Sequence, residues 1–83
     1  MRAIEYTYLR FEQDGMLDEK PVWKVVNIMY PDAIIGYVKY DIFIHEYCYY
    51  ALNPHYSPGE IILSQTNICD ICKFLMKISW TLN

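Results

Sequence analysis

Apolar positions in this chain alternate every second residue through its middle, then recur at helical spacing near its end. Residues 22–29 ("VWKVVNIM") set Trp23, Val25 and Asn27 against Val22, Lys24 and Val26, the period of a half-buried strand. Residues 34–40 ("IIGYVKY") divide Ile34, Gly36, Val38 and Tyr40 from Ile35, Tyr37 and Lys39, and residues 46–52 ("EYCYYAL") predict a further strand. Residues 3–12 ("AIEYTYLRFE") place Ile4, Tyr6 and Tyr8 on one face. This segment reads as a strand, although its Glu, Leu and Arg also favour helix, so a helix is compatible with it. Ile68, Ile71, Cys72, Leu75 and Ile78 then recur at helical spacing, predicting a helix over about residues 66–79. Asp70, Lys73 and Lys77 fall on its solvent side. Ser64, Thr66 or Asn67 suits the cap, with Asp70 towards the positive end of the helix dipole and the lysines towards the negative end.

Turn chemistry separates these pieces. Asp14-Gly15 and Pro31-Asp32 predict tight turns, and Pro21 ends the first loop. Residues 41–44 form a connection, while Asn53-Pro54 and Ser57-Pro58-Gly59 bracket a longer loop. Connections this short imply antiparallel neighbours, because parallel strands need long crossovers. The expected architecture is a single α+β domain over residues 1–83: a three- or four-stranded antiparallel meander with one C-terminal helix packed on one face (βββα or ββββα) and the other face open.

Lysines indicate which way the strands face. Keeping Lys24 and Lys39 out of the core points Tyr37 outward and Trp23, Val25, Val38 and Tyr40 inward. On the last strand, Cys48 and Leu52 are the residue types more often buried, so Cys48, Tyr50 and Leu52 are expected inside. Tyr47 and Tyr49 then join Tyr37 on the open face, with Lys39 and His45 alongside. These five residues are the candidate binding set.

Composition sharpens the picture. At 54% hydrophobic, the 83-residue chain has the material for one core, but it cannot bury all nine of its tyrosines completely. An aromatic surface suits a protein partner, either a different protein or a second copy in a homodimer. Seven Lys and Arg against ten Asp and Glu leave a formal charge of −3 with no basic run, which disfavours duplex nucleic acid. A single strand stacked on Tyr37, Tyr47 and Tyr49 beside Lys24 and Lys39 is the alternative reading. The acidic group Glu12, Asp14, Asp18 and Glu19 reads as a solvated loop.

The three cysteines, with no hydrophobic leader pattern at the start, predict a soluble protein in a reducing compartment, with thiols rather than disulfides. The longest aliphatic run, residues 61–63, is too short to enter a bilayer as a spanning helix. Cys69-x-x-Cys72 with Cys48 and His45 or His55 is the only set resembling a zinc site. A pair within one helix, away from a glycine-containing knuckle, instead favours core thiols, and neither metal nor cofactor is expected. Strand alternation sets His45 and Cys48 on opposite faces and provides no third orienting group, so no catalytic residues are assigned.

The stretches "VWKVVN" (22–27), "IGYVKY" (35–40), "EYCYY" (46–50) and "DICKFL" (70–75) resemble a family of small, largely uncharacterised proteins encoded by phages and mobile elements of bacteria. The resemblance covers roughly the last three quarters of the chain. Ile44, His45, Tyr40 and Ala51 depart from the pattern, standing where it would carry Trp, Arg, Trp and Pro. A histidine cannot supply a guanidinium fork. The resemblance implies no enzymatic activity. It implies an accessory protein that binds, and in the manner of an anti-CRISPR inhibits, a host protein such as a defence nuclease.

Overall fold

The computed structural model describes residues 3–52 and 63–82. The loop expected around Asn53-Pro54 and Ser57-Pro58-Gly59 lies outside the described residues, as does His55. The described residues form a five-stranded antiparallel sheet, ordered as in the chain, followed by one helix. The strands are β1 (Ala3–Glu5), β2 (Leu9–Leu17), β3 (Lys20–Asn27), β4 (Tyr30–Asp41) and β5 (Glu46–Ala51), and the helix is α1 (Gln65–Leu82).

The α+β meander with a C-terminal helix matches the expected class, with more strands than expected. The additional strand arises because residues 3–12 do not form one strand but turn back on themselves. The Tyr6 amide donates to the Leu9 carbonyl at 2.9 Å, and Ile4 comes to lie opposite Phe11.

Two turn signals act differently from expectation. Asp14-Gly15 forms a bulge within β2, with Gly15 at φ 86°, rather than a reversal. The chain reverses at Asp18-Glu19, between the paired Leu17 and Lys20, with φ of 52° and 66°. Left-handed φ at both central residues is what a two-residue hairpin turn of the right twist requires. Pro31-Asp32 likewise lies past the reversal, which occurs at Ile28-Met29 between the paired Asn27 and Tyr30. The Asn27 side chain accepts the Met29 amide at 2.8 Å and closes this turn. Pro31 occupies the irregular start of β4, where the missing amide costs no ladder bond.

The core lies between the helix and one face of the sheet. Leu9, Phe11, Trp23, Val25, Val38 and Tyr47 meet Ile71, Phe74 and Ile78. Phe74 stacks on Phe11 with ring centroids 4.0 Å apart and planes within 6°, and Trp23 meets Phe74 edge-on at 5.0 Å. The helix is therefore rotated from its expected orientation: Phe74 is buried, whereas Ile68 and Cys72 are exposed. Asp70, expected in solvent, is buried because its carboxylate accepts the Tyr8 amide at 3.1 Å, tying the helix to the β1–β2 turn. Ser64 supplies the cap, its hydroxyl accepting the Asn67 amide at 3.1 Å. With a start at Gln65 and an end at Leu82, neither Asp70 nor the lysines lie in a terminal turn, so the expected dipole complement does not arise.

Gly36 marks the tightest approach in the sheet. A Cβ there would lie 2.6 Å from both the Tyr49 hydroxyl and the Tyr50 carbonyl oxygen. Gly36→Ala is expected to destabilise the fold by about 1–3 kcal/mol through overpacking, read as a lower urea midpoint at unchanged slope.

Candidate functional site

Strand register decides which side chains reach the open face. In an antiparallel pair, directly opposed residues share a face. Val38, in the core, opposes Tyr49, and Tyr40 opposes Tyr47. Lys39 opposes Cys48, and Tyr37 opposes Tyr50. β5 is therefore turned over relative to expectation: Tyr47 and Tyr49 point inward, and Cys48 and Tyr50 point outward.

The inward tyrosines are well accommodated. Tyr47 is 8% exposed and meets Tyr40 edge-on at 5.2 Å. Tyr49 lies over Gly36 and donates its hydroxyl hydrogen to the Ile35 carbonyl at 3.1 Å. Each aromatic body gains burial, and the Tyr49 hydroxyl keeps a hydrogen-bond partner. Burial pushes the Tyr49 phenol up to about 12, and burial, then the neighbouring Tyr40, raises that of Tyr47.

Of the expected binding residues, Tyr37, Lys39 and His45 remain on accessible surface. Tyr37 is half-buried between Lys24 and Tyr50. The Lys39 ammonium lies 4.6 Å from the centroid of the Tyr50 ring. Lys24 is 3.4 Å from Glu12, which also meets Arg10 at 2.8 Å, so this face carries opposed charges side by side. His45 is exposed, at φ 58°, in the turn joining β4 to β5.

That turn is built around Asp41. Its Oδ1 accepts the Phe43 amide at 2.8 Å and the Ile44 amide at 3.3 Å, and its Oδ2 accepts the Tyr50 hydroxyl at 2.9 Å. The Asp41 carbonyl accepts the His45 amide at 2.9 Å. The Phe43 amide, then the Tyr50 hydroxyl, hold the Asp41 carboxyl below its usual range, so the turn keeps a charged acceptor. Ile42, Phe43 and Ile44 project from it, 55%, 88% and 57% exposed. Sequence reasoning treated these residues as a connection. Three consecutive bulky apolar residues in a tight turn were the available signal, because turns ordinarily carry polar residues.

The thiols do not assemble into a centre. Cys48 points away from the helix that carries the exposed Cys69 and Cys72. Cys72 is thus not the core thiol expected. Burial, then Asp41 and Glu46, raise the Cys48 thiol above its ordinary value, which suppresses the nucleophilic thiolate. Among the described residues, no three His, Cys, Asp or Glu converge to hold a metal ion, and no helix is long and apolar enough to cross a membrane. Comparison with protein-family models, curated proteins and solved structures finds no match.

The two sides of β5 separate by stability. Tyr47→Ser is expected to cost about 3 kcal/mol, as a buried aromatic truncation, and Tyr50→Ser about 1 kcal/mol or less, both measured by urea denaturation. Tyr49 predicts an alkaline effect. Its contribution is complete below the ordinary phenol value of 10.0 and declines as pH rises to about 12, because the unfolded phenol loses its proton first. Tyr49→Phe should therefore lose stability less steeply than the parent over that window.

Proposed function

We propose that this chain is a non-catalytic interaction module whose contact surface is the β4–β5 turn together with the adjoining outer face around Tyr37, Lys39 and Tyr50. The observation that carries this reading is the exposure of Ile42, Phe43 and Ile44 on a turn fixed by Asp41. Exposed apolar side chains are costly to leave in water, and a turn already ordered loses little further entropy on binding. Phe43 is the natural anchor, with Tyr37 and Tyr50 as flanking contacts.

The resemblance to proteins of phages and mobile elements supports placing the module in a bacterial cytoplasm as an accessory protein that occupies, and thereby inhibits, a host protein such as a defence nuclease. The reading with single-stranded nucleic acid is weaker on this surface. Lys24 faces Glu12, Lys39 lies over Tyr50, and two of the three tyrosines needed for stacking point inward.

The test is affinity capture from a bacterial host lysate with the parent and with Ile42→Ser/Phe43→Ser/Ile44→Ser, whose thermal melts should agree. A host protein retained by the parent and lost by the variant is the expected result. Equal retention by both, or salt-sensitive binding of single-stranded DNA or RNA instead, overturns the reading.

A further inference from the structure

Two hairpins end at the same edge of the sheet. β2 and β3 close at the paired Leu17 and Lys20, and β4 and β5 close at the paired Asp41 and Glu46. The register Trp23 to Val38 carries β3 back to Lys20 as β4 runs forward to Asp41, and the Lys20 ammonium lies 4.5 Å from the Tyr40 ring centroid. Adjacent hairpins of one sheet are centred two strand spacings apart, about 10 Å. Exposed Met16 and Leu17 on the first hairpin thus lie at the same end of the sheet as Ile42, Phe43 and Ile44 on the second.

Charge at this end is uneven. Asp18 and Glu19 form one turn, Asp41 and Glu46 flank the other, and Lys20 is the one cation among these closing residues. Four carboxylates against one ammonium equal the formal −3 of the entire chain. The remaining charged residues balance.

We infer that this acidic, apolar end of the sheet docks a basic amphipathic protein segment, one in which large apolar side chains are flanked by Arg or Lys. The inference rests on the interaction-module reading and names the chemistry of its partner. Apolar side chains supply the buried centre, and the carboxylates select and steer the basic flank. Anionic lipid surfaces are repelled by the same carboxylates. Two copies meeting end to end would bring like charges together.

The probe is a random peptide library displayed on phage and selected on the immobilised full chain, with the leading peptide then synthesised and its binding kinetics measured at low and high salt. Enriched peptides should combine Arg or Lys with large apolar residues. Phe43→Ser should weaken the peptide about tenfold, equivalent to about 1.4 kcal/mol. Asp18→Asn/Glu19→Asn keeps residues suited to left-handed φ, and should slow association about fivefold and flatten its salt dependence.

Several results overturn the inference: no enriched peptide, peptides without basic residues, or binding indifferent to Asp18→Asn/Glu19→Asn. Self-association lost in Phe43→Ser, or Phe43-dependent binding to phosphatidylcholine–phosphatidylglycerol vesicles, does so as well. A host protein captured through residues 42–44 while the peptides lack basic residues would sink the partner chemistry alone and leave the interaction module standing.

Discussion

Phe74, stacked on Phe11 and edged by Trp23, is the contact on which the two layers depend. Among the described residues one helix closes the inner face of five strands, and its backbone comes nearest to β2 and β5. Those strands are three spacings apart, about 14 Å in a flat sheet, whereas a helix with its side chains is about 10–12 Å across. Large side chains have to fill the remaining width. The bulge at Gly15 and the register shifts between β3 and β4 supply local bending, and the large flat rings of Phe11, Phe74 and Trp23 fill the middle of the core.

Register and the gap at Gly36 explain the tyrosines. On the inner side of β4 and β5, Gly36 has no side chain and leaves the place that Tyr49 fills. Tyr47 and Tyr40 complete the wall. The outer side retains Tyr37, Tyr50, Lys39 and the Glu12 ion contacts, a mixed surface in which each lysine already has a neighbour. Among the described residues, apolar exposure is greatest at the hairpin ends, beyond the reach of α1.

This arrangement separates stability from recognition. The residues that close the core lie on regular strands and the helix, while the apolar residues Ile42, Phe43 and Ile44 sit on a turn fixed by hydrogen bonds to Asp41, and Asp18 and Glu19 on one with left-handed backbone. Substitution at the turns can change binding with little cost to the core. Substitution at Gly36 or Tyr47 acts in the opposite way.

Local chemistry in the sequence was sufficient for the class of fold. Period-two alternation located β3, β4 and β5, helical spacing located α1, and short connections made the sheet antiparallel, because these are properties of neighbouring residues. Lys24 and Lys39 also placed their own faces correctly, since an ammonium avoids the core wherever the strand lies. Tertiary structure alone decided the rest. The register Val38 to Tyr49 turned β5 over, the stack on Phe11 rotated the helix to bury Phe74, and the Tyr8 amide brought Asp70 inside. Each depends on a partner distant in the chain, and burial frequency carries no information about that partner. The apolar turn at residues 42–44 was visible as letters, but its meaning came from the geometry that leaves it in water.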